Sequence, residues 1–106
     1  MDEAQFEALA GAALEQLERS LEALEDLDFE LKPGGIVEIE FDSGAKIIVN
    51  RHGGAREIWV AARSGGFHYR YDGSAWRDSR SGAELFAALS ELISVELGRR
   101  VRLFGR

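Results

Sequence analysis

Between Leu17 and Glu30 the chain sets Glu18, Glu22, Glu25, Asp26, Asp28 and Glu30 against one basic residue, Arg19. Ionised carboxylates only accept hydrogen bonds. Crowded together they repel one another, and a cation or a basic protein surface relieves that repulsion. Two chemistries therefore suit the cluster: holding a hard cation through oxygen, or docking on a basic partner. Crowding also has a cost. The folded state stores self-repulsion that an expanded chain relieves, so added salt and mild acid are expected to stabilise the fold.

The charge is one-sided. Residues 1–30 carry ten acidic residues and one basic, a net −9, while residues 31–106 carry twelve basic and nine acidic, a net +3. Such a field attracts cations and basic surfaces and repels nucleic acid and anionic membranes. The basic residues near the end, Arg99, Arg100, Arg102 and Arg106, read as charge balance for the preceding helix or as a cap on its C-terminus.

Other chemistries lack their residues. The chain has no cysteine, which excludes disulfides, thiolate metal sites and a Cys nucleophile. Its serines form no Gly-x-Ser-x-Gly elbow. "SGG" at 64–66 lacks the Lys of a phosphate loop, and "RSG" at 80–82 reads as a helix start with Ser81 as N-cap. His52 and His68 fall on a loop and a strand, without the acid-x-x-His spacing of a tight helical metal site. Any cation site is thus shallow, hydrated and weak, with several carboxylates sharing each ion. No enclosed acid–base pair is indicated, so an enzyme is not expected.

The length of 106 residues, with 45% apolar and 30% charged, suits one folded domain over residues 1–106. No apolar run reaches membrane-spanning length. The acidic, amphipathic start "MDEAQFEALAGAALEQLE" resembles neither a secretory nor a mitochondrial leader, and the expected location is the cytoplasm.

Residues 3–26 read as one helix, with Phe6, Leu9, Ala10, Ala13, Leu17, Leu21 and Leu24 on an apolar stripe and Glu15, Glu18, Glu22, Glu25 and Asp26 on another. "KPGG" at 32–35 ends that region. "IVEIEF", "KIIVN", "EIWVAA", "FHYRY" and "AWRDS" read as strands separated by turns, including "DSGA" and "DGS". A second helix starts at Ser81 or Gly82 and stops at Gly98. "RRVRLF" is an extended tail or a sixth strand. The class is α+β: a two-layer α–β sandwich, with N- and C-terminal helices on one face of an antiparallel five- or six-stranded sheet. The other face is open. Phasing the strands leaves Lys46, Ile48, Asn50, Glu57, Trp59, Ala61, His68 and Arg70 outside. An exposed Trp among polar residues marks a contact surface. Glu38 and Glu40 are expected to extend the acidic surface.

"GAKIIVNRH", "EIWVAARSGGFHYRYDGSAWRDSRSG" and the acidic first helix together resemble the frataxin family in its bacterial form, over nearly the whole chain and in the same order of elements. The resemblance implies weak binding of ferrous and ferric iron on an acidic ridge. It implies a role in iron–sulfur cluster assembly, through docking on the cysteine desulfurase and its scaffold protein. By position, the ridge carries over to Glu18, Glu22, Glu25, Asp26, Asp28, Glu30 and Asp42. The sheet surface that meets partners carries over to Asn50, Trp59 and His68. A monomer is the expected state, with iron-dependent oligomers belonging to a rival reading, a ferroxidase that oxidises ferrous iron at the same ridge.

Overall fold

The computed structural model describes residues 1–104. Its first helix, α1 (Glu3–Glu22), starts at Asp2, whose carboxylate accepts from the Gln5 backbone N–H while Gln5 accepts from the Asp2 N–H. The reciprocal cap satisfies two donors that a helix start leaves open. Phe6, Ala10, Ala13, Leu17 and Leu21 are buried along one side. The helix ends at Glu22, short of the expected Asp26. The Ala23 N–H reaches the carbonyls of Arg19 and Leu21, and Leu24 bonds to Leu21 at 3.0 Å. The final turn thus tightens, and the chain swings round to bury Leu27. Glu25 and Asp26 consequently leave the helical stripe and lie in a turn.

Six strands follow among the described residues: β1 (Asp28–Lys32), β2 (Ile36–Glu40), β3 (Lys46–His52), β4 (Glu57–Ala62), β5 (Gly65–Tyr71) and β6 (Trp76–Asp78). Each pairs antiparallel with the next, so the sheet is a meander in chain order. The sixth strand is not the tail. It is "DFELK", which sequence patterning missed. Only Phe29 of β1 is partly covered; the rest is exposed, so no apolar alternation betrays it. A short, charged edge strand of this kind also discourages pairing with another chain.

The second helix, α2 (Leu85–Leu97), begins later than Ser81. Glu84 is the N-cap, and its carboxylate accepts from the backbone N–H groups of Phe86 and Ala87. Ser81 instead donates to Asp78 inside a turn that needs Gly82 at φ 79°. Gly98 ends α2 at φ 73°. Both helices share one core with the inward residues of the sheet, among them Val37, Ile39, Ile47, Val49, Ile58, Val60, Tyr69 and Trp76.

Over residues 99–104 the tail runs without strand pairing, yet Val101 and Leu103 are buried. Three helix serines hold it. Ser94 accepts from the Val101 N–H at 3.0 Å, Ser90 from the Leu103 N–H at 2.9 Å, and Ser20 donates to the Phe104 carbonyl at 3.0 Å. The tail therefore gets from side chains the partners that a sheet would have supplied. Of its basic residues, Arg100 pairs with Glu91 of α2 at 2.7 Å and Arg99 pairs with Asp26. Arg106 lies outside the described residues. Among the described residues, no helix is long and apolar enough to cross a membrane.

Candidate functional site: an acidic edge and an aromatic row on the open sheet face

The ridge is built from three pieces of chain. Glu18 and Glu22 stand on α1, Glu25 and Asp26 in the turn after it, and Asp28 and Glu30 on β1. The pairing register extends the acidity across the sheet. Asp28 lies opposite Glu40, and Glu30 opposite Glu38. Directly opposed like charges destabilise a strand pair. Asp42 follows β2 by two residues and Asp26 precedes β1 by two, so both fall at the same end of this pair.

Cations offset part of the repulsion. Glu38 does not extend the ridge as expected. It is 9% exposed and gripped by Lys32 at 2.7 Å and Lys46 at 2.9 Å. Arg99, from the far end of the chain, takes Asp26. Arg19 pairs with Glu15 at 3.6 Å rather than with a ridge residue. Glu18, Glu22, Glu25, Asp28, Glu30, Glu40 and Asp42 form no ion pair among the described residues. Nor do three or more of the His, Asp and Glu side chains among the described residues converge on a point that could hold a metal ion. The donor set is hard and oxygen-rich but dispersed. It suits cations that keep most of their water.

Several carboxyls off the ridge are displaced, and all downward. The ammonium groups of Lys32 and Lys46 hold Glu38 below the usual glutamate range, and Glu38 in turn raises both lysines. The backbone N–H groups of Ser74 and Ala75, with Arg77, hold Asp72 at about 2. A carboxyl lowered on folding adds stability above its unfolded pKa and loses it as pH falls through the folded value. The melting temperature is therefore expected to fall as pH drops from about 4.5 to about 2. Glu38→Gln should shallow that decline in a series of thermal melts; an unchanged slope would show that the two lysines do not act through Glu38.

The second part of the site is a row across three strands. Asn50 of β3 pairs with Trp59 of β4, which pairs with His68 of β5. The structure thus brings the three partner-surface candidates side by side. It corrects the surroundings of Trp59, which is half-buried rather than freely exposed. His52 stacks on one side of the indole with centroids 3.9 Å apart, and His68 on the other at 4.6 Å, each tilted by 13°. The His52 ring is itself held, its Nδ1 accepting from the Ala55 N–H at 3.2 Å.

Beneath the row lies Glu57, placed outside by phase but 6% exposed. Its Oε2 accepts from Arg70 Nε at 2.7 Å and its Oε1 from Trp59 Nε1 at 2.7 Å. His68 Nδ1 is 3.5 Å from the same Oε1. Arg70, then the indole N–H, hold this carboxyl below its usual range against the opposing effect of burial. Sequence phasing found the face but not this hub. Its signal was present: Glu57 faces His52 in the hairpin register and precedes Trp59 by two residues.

This architecture matches known proteins closely. A family model described as a frataxin-like domain matches residues 1–99. The chain is 57% identical over 104 residues to a curated protein named iron-sulfur cluster assembly protein CyaY from Dechloromonas aromatica, covering 97% of this chain and 99% of that one. A protein of the same name from Cupriavidus metallidurans is 49% identical over 102 residues, with 92% of each chain covered. The solved frataxin from Psychromonas ingrahamii superposes with a TM-score of 0.88 at 29% identity, over 96% of this chain and 97% of that one. The sandwich, the sheet order and the near-complete coverage agree, and the chain belongs to the frataxin-like family.

Proposed function

We propose that this protein is an iron-binding regulator of iron–sulfur cluster assembly, working as an adaptor rather than an enzyme. Two relatives carry cluster assembly in their names. The observation that supports the reading most strongly is the set of ridge carboxylates that form no ion pair among the described residues, Glu18, Glu22, Glu25, Asp28, Glu30 and Asp42, together with the aromatic row on the open sheet face. The ridge attracts ferrous or ferric iron and a basic surface on the cysteine desulfurase. Asn50, Trp59 and His68 supply contacts to the desulfurase–scaffold complex that depend less on salt. Iron is cargo here: weakly held, largely hydrated, and shared among Glu18, Glu22, Glu25, Asp26, Asp28, Glu30 and Asp42. Asp26 must give up Arg99 to take part.

The test combines two readouts. Glu22→Gln with Glu25→Gln should weaken iron and cobalt binding in a calorimetric titration, with several weak sites becoming fewer or weaker. The same variant should melt about 2–4 °C higher in low salt, since each relieved like-charge contact is worth a few tenths of a kcal/mol. One tight site that survives both substitutions would end the ridge reading. Saturable oxygen consumption with ferrous iron in the presence of the protein would replace the adaptor with a ferroxidase.

A further inference from the structure

The geometry points to Glu57 as the residue that positions Trp59 for docking. This inference rests on the docking role just proposed. Glu57 faces the open side of the sheet, where carboxylates normally stay in water, yet it is 6% exposed. A buried carboxylate is costly unless its lone pairs are satisfied. Here both oxygens are used, Oε1 by the indole N–H and Oε2 by Arg70. Being covered, Glu57 cannot itself be a broad contact for a partner. It acts through the groups that cover it.

Stacking alone does not define the indole. The two imidazoles fix its plane, since both lie within 13° of parallel. They leave the ring free to slide or turn over within that plane, because a stack has no directional bond along it. The 2.7 Å bond from Nε1 to Oε1 removes this freedom. It turns the polar edge of the indole toward the buried Glu57. A half-buried Trp, set in place before the encounter, is what a binding hot spot requires. Arg70 then serves Glu57 twice, by neutralising it and by closing the side of the hub toward β5.

The acceptor, rather than the charge, is what positioning requires. Glutamine at position 57 keeps a side-chain oxygen within reach of Nε1; alanine does not. Glu57→Ala is expected to speed solvent exchange of the Trp59 indole N–H about fivefold, as loss of one ordinary hydrogen bond implies. It should weaken binding to purified desulfurase–scaffold complex about two- to tenfold, the cost of ordering a free side chain on binding. Glu57→Gln should stay near the parent in both readouts. Thermal melts of all three proteins show whether the fold is intact, and binding is compared well below each melting temperature.

The indole signal is assigned by its loss in Trp59→Phe. Unchanged indole exchange in Glu57→Ala overturns the inference. So does weakened binding with the indole still ordered, which would give Glu57 or Arg70 a direct contact. If Glu57→Gln fails as badly as alanine, charge and not the acceptor matters, and positioning is again wrong. The docking role fails separately, through a Trp59→Ala protein that binds as well as the parent. In that case the exchange measurement still decides whether Glu57 orders the ring.

Discussion

Trp59→Ala is expected to lower affinity for the desulfurase–scaffold complex about 30-fold or more. That is the effect of removing a Trp anchor worth at least ~2 kcal/mol at a protein interface. The fold should not be spared. The substitution also dismantles two aromatic stacks and one hydrogen bond. At ~1 kcal/mol per stack, the melting temperature should drop by about 10 °C. Affinity is best read by surface-immobilised binding at a temperature where both proteins are fully folded. Raising the salt sorts the contributions further. The ridge contribution should fade with ionic strength, and the Trp59 contribution should persist. A Trp59→Ala protein that binds normally, but melts low, would assign the stack to stability alone.

Leu103→Ala should destabilise the protein by about 3 kcal/mol, a large share of the stability of a domain of this size. Leu103 is buried although it belongs to a segment with no regular structure. Ser90→Ala should cost about 1–2 kcal/mol, because the Leu103 N–H would be left buried without its acceptor. The two changes act on one contact, so the double variant should lose less than the two losses added together. Urea titrations with a common slope would measure all three values. A cost below about 1 kcal/mol for Leu103→Ala would mean that the tail lies on the core without completing it.

The stripes and alternations of this chain gave its architecture away because most elements bury one side only. α1 shows its core side in Phe6, Ala10, Leu17 and Leu21, and β2 to β4 alternate around Val37, Ile39, Ile47, Val49, Ile58 and Val60. β1 was invisible for the same reason: it buries almost nothing. The tail misled in the opposite way. Its apolar residues are buried, but serines rather than a strand complete its backbone bonds. The site divides similarly. Composition revealed the acidic cluster, strand phase put Asn50, Trp59 and His68 on the open face, and the family resemblance singled them out there. The ion pairs that disarm Asp26 and Glu38 were not legible. Arg99 lies 73 residues from Asp26, and the grip of Lys32 on Glu38 requires the unrecognised strand. The stack on Trp59 was likewise hidden, because it needs a side-chain rotamer and not only a phase.

The meander has a consequence for how the chain folds. Every strand pairs with its sequence neighbour, so the sheet can assemble hairpin by hairpin with small loop-closure entropies. The tail works on a different length scale. Ser20 meets Phe104 across 84 positions, and Leu103 completes the core that α1 opened. α1 and the sheet can therefore come together before the tail docks on them. Until it docks, the part of the core that Val101 and Leu103 cover stays open, a state prone to aggregation. The acidity of residues 1–30 gives that intermediate a like-charged surface that holds other copies away until the tail docks.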